Sequence, residues 1–253
     1  MSRWVTGLVS IVMPARDSQR FIRESIRSVI SQSYSAWELL VVDDASSDAT
    51  LEVVREAAND DSRIRVIQLA KNVGIAAARN AGIQSARGQF LAFLDSDDLW
   101  LKEKLQVQVG FMRHHDAAFS FTSYRRFGPD GALSPPVRVP GSLDYEQLLK
   151  GNVIGCLTVM IDRNRVSDFL MREVRHEDYV GWLQILKQGH TALGIQEDLA
   201  LYRISPTSVS SDKMRSAAWT WNIYRRVEGL SYWKSVKCFA QYIAKAISIR
   251  NHA

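Results

Sequence analysis

The feature that most constrains this 253-residue chain is a hydrophobic period that switches between strand and helix spacing throughout its first hundred residues. Leu8-Val9-Ser10-Ile11-Val12-Met13 is an apolar run of strand length. Phe21, Ile22, Ser25, Ile26, Val29 and Ile30 then recur at helical spacing. Glu38-Leu39-Leu40-Val41-Val42 predicts a second strand, closed by Asp43-Asp44. Leu51, Val53, Val54, Ala57 and Ala58 predict a second helix with Ser47 or Asp48 as its cap. A third strand is predicted over 64–69, an alanine-rich helix over 75–86, and a fourth strand over 90–94 that runs into Asp95-Ser96-Asp97-Asp98. Such alternation implies right-handed crossovers and a mostly parallel central sheet flanked by helices, an α/β fold.

Past Trp100 the alternation weakens. The pattern predicts a helix over 101–112, a strand over 117–121, a Gly- and Pro-rich loop over 127–141, a helix over 144–150, a strand over 155–161 and a helix over 178–188. Two helices are expected between 214 and 250. The chain is long enough for one large α/β body. That body is assigned to residues 1–212, with a nucleotide-binding half over 8–100 and an acceptor half over 101–212, followed by a basic helical tail over 213–253. The two cysteines, Cys156 and Cys238, make neither a disulfide framework nor a zinc spacing, which fits a reducing, cytoplasmic setting. No run of 18 apolar residues suggests a membrane span, and the run over 8–13 ends in a polar turn, as a buried strand does.

Ligands of open α/β sheets bind beyond the carboxyl ends of the strands. Three polar clusters fall there: Pro14-Ala15-Arg16-Asp17, Asp43 to Asp48, and Asp95 to Asp98. Three carboxylates within four residues repel one another unless a cation joins them, and hard ions such as Mn2+ or Mg2+ take carboxylates together with substrate phosphates. The same run also suits a solvated turn that caps the next helix. Asp43-Asp44 offers acceptors for a base or ribose hydroxyl, beside the capping role of Ser47 or Asp48. In Lys71-Asn72-Val73-Gly74-Ile75-Ala76-Ala77-Ala78-Arg79-Asn80-Ala81-Gly82, small residues permit close approach and Arg79 supplies a permanent charge for a diphosphate or a carboxylate. The segment lacks both the P-loop ending and a dinucleotide fingerprint. His176-Glu177-Asp178-Tyr179 opens an amphipathic helix, where an acid either complements the dipole or acts as a general base.

Taken in order, Ser10-Ile11-Val12-Met13-Pro14, Val42-Asp43-Asp44-Ala45-Ser46-Ser47-Asp48, Asn72 to Gly82, Phe93-Leu94-Asp95-Ser96-Asp97-Asp98, Glu177-Asp178 and Leu201-Tyr202-Arg203-Ile204-Ser205 resemble family 2 glycosyltransferases of the GT-A fold. The resemblance covers about residues 8 to 212. It implies inverting, single-displacement transfer from a nucleoside-diphosphate sugar, most often a UDP-sugar. It further implies that Pro14, Ala15 and Asp44 line the base pocket, with Asp17 and Ser96 beside the nucleotide-sugar. Asp95 would face the ribose, Arg79 the nucleotide or diphosphate, Asp97 the Mn2+ or Mg2+, and Asp178 would be the catalytic base. Two departures stand out. Ala15-Arg16-Asp17 replaces a common Tyr-Asn pair, and no histidine stands near Ser205, which leaves Arg203, Ser208 or Ser210 as phosphate contacts.

The formal net charge of +5 comes from 32 basic and 27 acidic residues, too small an excess to argue for nucleic acid. It is concentrated: from Lys213 onward there are eight Lys or Arg and one acid, Glu228. Trp233, Val236, Ala240, Ile243 and Ile247 recur at helical spacing, with Lys234, Lys237 and Lys245 on another face. Such a tail resembles those of enzymes that build capsular, teichuronic or lipopolysaccharide-type glycans on lipid-linked acceptors. A basic amphipathic helix can lie on the inner face of the plasma membrane, dock on its own core or join a second copy as a homodimer. Two functions remain: an active glycosyltransferase, or a catalytically silent nucleotide-sugar-binding scaffold subunit.

Overall fold

The computed structural model describes residues 3–204 and 213–251, with side-chain surroundings for 3–204 and 215–244. Its first half is β1 (Val5–Ala15), α1 (Ile22–Ile30), β2 (Trp37–Asp43), α2 (Thr50–Asp60), β3 (Ile64–Gln68), α3 (Ile75–Ser85) and β4 (Gly88–Phe93). These strands pair in parallel in the order β3-β2-β1-β4. Every residue of β2 is buried, because helices cover both faces of the sheet. The two-residue period sorts side chains by face: Val9, Ile11 and Met13 pack with Ile22, Ile26 and Val29 of α1, while Val12 packs with Phe93 and Trp182 on the other side. Helix α3 lies close on that second face. A Cβ added at Gly82 would come within 2.5 Å of Val12 Cγ1, so glycine is what permits the approach.

The second half is β5 (Leu99–Trp100), α4 (Lys104–His114), β6 (Phe119–Phe127), β7 (Ser142–Leu143), α5 (Tyr145–Leu148), β8 (Met160–Asp162), α6 (Glu177–Lys187) and β9 (Ala192–Arg203). It extends the sheet to β3-β2-β1-β4-β8-β6-β9-β5. Strand β8 runs antiparallel to β4 and β6, β6 and β9 are parallel, and β5 and β7 pair antiparallel with β9. The strand expected over 155–161 is instead a 3-10 turn, Cys156–Thr158, followed by the short β8. Neither Ser47 nor Asp48 is the N-cap of α2. That residue is Ala49, and Asp48 Oδ1 accepts from the Thr50 amide at 3.0 Å one step earlier. Strand β9 had no counterpart in the sequence pattern.

Lys104, at the start of α4, is wholly buried without a carboxylate. Its Nζ donates to Gln108 Oε1 at 2.6 Å and sits 4.2 Å from the Trp100 ring centroid. Burial pushes its ammonium down to about 7.

The tail forms α7 (Lys213–Asn222), a π-helical turn (Ile223–Val227) and α8 (Tyr232–Asn251). One side packs on the body: Ile223, Tyr224, Leu230 and Cys238 join the buried cluster around Trp182. Tyr224 donates to the Leu149 carbonyl, Tyr145 to Glu228 and Lys234 to Glu146, at 2.6, 2.6 and 2.7 Å. The other side is open, with Trp233 78%, Ile243 42% and Val236 37% exposed. Among the described residues no helix is long and apolar enough to cross a membrane.

Candidate active site

Parallel pairing brings the ends of β1, β2 and β4 to one edge. Pro14 and Ala15 lie opposite Val42 and Asp43, and the Asp44 amide donates to the Ala15 carbonyl at 2.8 Å. Their side chains are buried, so Pro14 and Ala15 present backbone to the edge. Asp17 is exposed with φ 46, and its Oδ1 accepts from the Ser47 amide at 2.8 Å and the Ser47 hydroxyl at 3.0 Å. Ser96 meets Ser18 at 2.8 Å through their hydroxyls, and its carbonyl accepts from Ser25 at 2.9 Å. The loops after the three strands are thus laced together.

Asp44 is buried, and both its oxygens accept amides of the turn that enters α3: Val73 at 2.7 Å and Gly74 at 3.0 Å. Gly74 has φ 86, which favours glycine at this bend. One turn later Arg79, 2% exposed, is gripped from two sides. Its Nη2 donates to Asp95 Oδ1 at 2.6 Å and its Nη1 to Glu177 Oε1 at 2.5 Å. Its Nε is buried without a partner. The neighbouring Asn80 exchanges two 2.8 Å hydrogen bonds with the Met171 backbone, ahead of α6. Arg79, Asp95 and Glu177 therefore meet, although Arg79 and Glu177 are 98 residues apart.

Asp178 joins this group at the start of α6, where its Oδ1 accepts from the Tyr179 amide at 2.7 Å. Burial and then the Glu177 charge push its carboxyl up to about 6, while Arg79 opposes them. A carboxylate so poised suits proton abstraction near neutral pH. The Cys156 thiol from the 3-10 turn lies within the field of the same groups and is pushed up by burial. His176, left-handed at φ 57, puts its ring 5.4 Å from Trp219 of α7. Glu177, Cys156, Asn80 and Trp219 received no role from sequence, although the Glu177-Asp178 doublet marked the place.

The acidic run divides. Asp98 is buried, with Oδ1 accepting the Arg203 amide at 2.8 Å and Oδ2 without a partner. Asp97 is half-buried and has no ion pair among the described residues. Burial and Asp95 push its carboxyl up. Arg203 donates from Nε to the Asp97 carbonyl at 2.7 Å and from Nη2 to Glu24 at 2.6 Å, and its guanidinium lies between Phe21 and Phe127 at 4.5 and 4.3 Å. Those contacts occupy the group that sequence offered to the phosphates. Ser205, Ser208 and Ser210 lie outside the described residues. No three His, Cys, Asp or Glu among the described residues form a metal cage. The edge still suits a cation: among the described residues Asp95, Asp97, Asp98, Glu177 and Asp178 face two guanidiniums, Arg79 and Arg203, and Asp97 and Asp98 Oδ2 have spare acceptors.

Comparison with known proteins identifies the family and the fold. The family described as "Glycosyl transferase family 2" matches residues 10–166. The chain is 42% identical over 252 residues to the putative teichuronic acid biosynthesis glycosyltransferase TuaG of Bacillus subtilis, covering 99% of this chain and 100% of that one. It is 39% identical over 217 residues to Escherichia coli WfgD, a UDP-Glc:alpha-D-GlcNAc-diphosphoundecaprenol beta-1,3-glucosyltransferase, covering 85% of each. Among solved structures, S. aureus TarS in complex with UDP-GlcNAc superposes with a TM-score of 0.74 at 20% identity, over 95% of this chain and 73% of that one. Pyrobaculum calidifontis mannosyltransferase PcManGT in complex with GDP-Man and Mn2+ gives 0.71 at 17% identity, over 94% and 75%. The fold is GT-A, and the chain belongs to glycosyl transferase family 2.

Proposed function

We propose that this protein is an inverting, metal-dependent glycosyltransferase that moves a sugar from a UDP-sugar to a hydroxyl of a growing, lipid-linked surface polysaccharide. The observation that carries the reading is the network at Asp178: this half-buried carboxyl, pushed up to about 6, adjoins Glu177, whose ion pair with Arg79 links it to Asp95 in the loop that follows β4. In this reading the backbone at Pro14 and Ala15, with Asp17, Asp44 and Ser96, shapes the nucleotide wall, and Asp95 faces the ribose. Arg79 compensates carboxylates and lies near the donor. Asp97, with the donor's own phosphate oxygens and water, would hold Mn2+ or Mg2+, which neutralises charge on the departing diphosphate. Asp178 takes the proton of the acceptor hydroxyl as its oxygen attacks the anomeric carbon. The bond to the diphosphate breaks, the diphosphate leaves with the electron pair, and the anomeric configuration inverts.

The similarity to WfgD, a UDP-Glc:alpha-D-GlcNAc-diphosphoundecaprenol beta-1,3-glucosyltransferase, supports a UDP-hexose donor and a diphosphate-lipid acceptor, and that to TuaG supports a role in envelope glycan synthesis. Residues 1–212 would form the catalytic unit and 213–253 its tail. With Lys237 beside the exposed Trp233, Val236 and Ile243, that tail suits the cytoplasmic face of an anionic membrane. Flotation with phosphatidylglycerol vesicles, reduced for Trp233→Glu, checks this. A stable dimer without vesicle binding would instead assign the face to a second copy.

The central test measures UDP release from UDP-glucose and UDP-N-acetylglucosamine with a GlcNAc-diphosphate-lipid acceptor. Release should stop with EDTA and return with Mn2+ or Mg2+. Asp178→Asn should lose release yet keep UDP binding. Wild-type turnover in that variant overturns the reading. Binding of UDP-sugar without any turnover in the wild-type protein favours the scaffold subunit.

A further inference from the structure

Within the proposed reaction, and resting on Asp178 as its base, we infer that Arg79 and Glu177 form a positioning couple that binds the donor-side loop to the base-bearing helix and sets the pH range in which Asp178 works. The inference begins with geometry. Arg79 is the only described side chain that donates to both Asp95, just beyond β4, and Glu177, the first residue of α6. Its guanidinium is buried, so the two ion pairs are shielded from solvent, unlike exposed pairs. Asn80, the next residue on α3, anchors the chain leading to α6 by its two-way bond with Met171. Two adjacent residues of one helix therefore fix the approach to the base.

The chemistry follows from position. Glu177 and Asp178 are adjacent acids at a helix start, and like charges so close disfavour ionisation of the second. Arg79 offsets Glu177 and keeps Asp178 able to ionise. The groups that face Asp178 are Arg79 from α3, Asp95 beyond β4, Cys156 from the 3-10 turn and Glu177 from α6 itself. Among them Arg79 is the sole cation, and it acts through charge and through its grip on Glu177. In this inference it is a positioning residue, because its Nη1 and Nη2 both donate to these carboxylates.

The sign of each perturbation is fixed. Glu177→Gln removes the repelling charge while keeping the shape, so the acid limb of the kcat profile should move down by about one pH unit. Arg79→Gln removes the compensating charge, so the limb should move up by a similar amount. The double variant should return towards wild type. These profiles are read on the full chain with saturating UDP-sugar and Mn2+, with thermal melting and UDP affinity as controls for folding. If Arg79→Gln does not fold, Glu177→Gln decides alone. Limbs that stay in place, or that move the same way in both variants, overturn the couple. A different failure, transfer that survives Asp178→Asn, overturns the assignment of the base.

Discussion

Glu38 at one end of the sheet and the group Asp97, Asp98 and Asp178 at the other hold their carboxyls in opposite ways. At the amino end, Glu38 of the fully buried β2 is saturated. It accepts from Ser10 at 2.6 Å, from the Arg87 amide at 2.7 Å, from Arg65 at 3.0 Å and from the Arg87 Nε at 2.9 Å. Burial alone would raise its carboxyl, but those donors hold it below the ordinary glutamate range. At the carboxyl end, burial wins. Asp97, Asp98 and Asp178 are all pushed up, and Asp98 Oδ2 has no partner. A satisfied carboxylate supports the fold; one with a spare acceptor fits the ligand-binding role proposed for this edge.

Experiments can sharpen or break this contrast. At the ligand end, Asp178→Asn should cut transfer by about 10² to 10⁴-fold, measured as UDP release, with no loss of melting temperature. Asp97→Asn should cost about 10² to 10³-fold in the same assay, again with the fold intact. At the amino end the effects should reverse. Glu38→Gln should lower stability by about 1–3 kcal/mol in urea unfolding while kcat is unchanged. Because the folded value of Glu38 is depressed, its contribution is complete above the ordinary value and disappears as pH falls through the folded one. The gap between wild type and Glu38→Gln should therefore be wider at pH 7 than at pH 3. The smallest effect concerns Lys104. Its folded value is lowered, so stability should rise between pH 7 and 10, and Lys104→Met should flatten that rise with a gain of about 1 kcal/mol at pH 7.

The contrast also explains what was legible in the sequence. Strands β1, β2 and β4 were readable because their apolar runs are mostly buried on both faces and end in polar turns. Strand β9 was not, since Gln196-Glu197-Asp198 breaks its apolar pattern where its register with β6 shifts. The run at 155–161 looked extended because Val159, Met160 and Ile161 favour strands, but Gly155 leads into a 3-10 turn. Polar clusters announced where the site lies. Their wiring stayed hidden: Glu38 meets Ser10 and Arg87 across 28 and 49 residues, and Arg79 meets Glu177 across 98. Sequence offered Arg79 to a diphosphate or a carboxylate, and pairing across the fold gives it two carboxylates, Asp95 and Glu177.

The lacing of the first two strand-end loops carries a thermodynamic consequence. The Asp17 amide donates to the Ser46 hydroxyl and its carboxylate accepts from Ser47; the Ser18 amide donates to the Thr50 hydroxyl, the Gln19 amide to Asp48, and Gln19 Oε1 accepts from the Ala49 amide. Each bond lies within the chain itself, and the backbone at Asp17 and Ala45 holds positive φ. The ordering of this wall is thus completed during folding. In the proposed reading, a nucleotide settling against it would meet few loose side chains, each of which would otherwise cost about 0.5–1.5 kcal/mol to immobilise. Calorimetry should then find little entropy opposing capture of the nucleoside half.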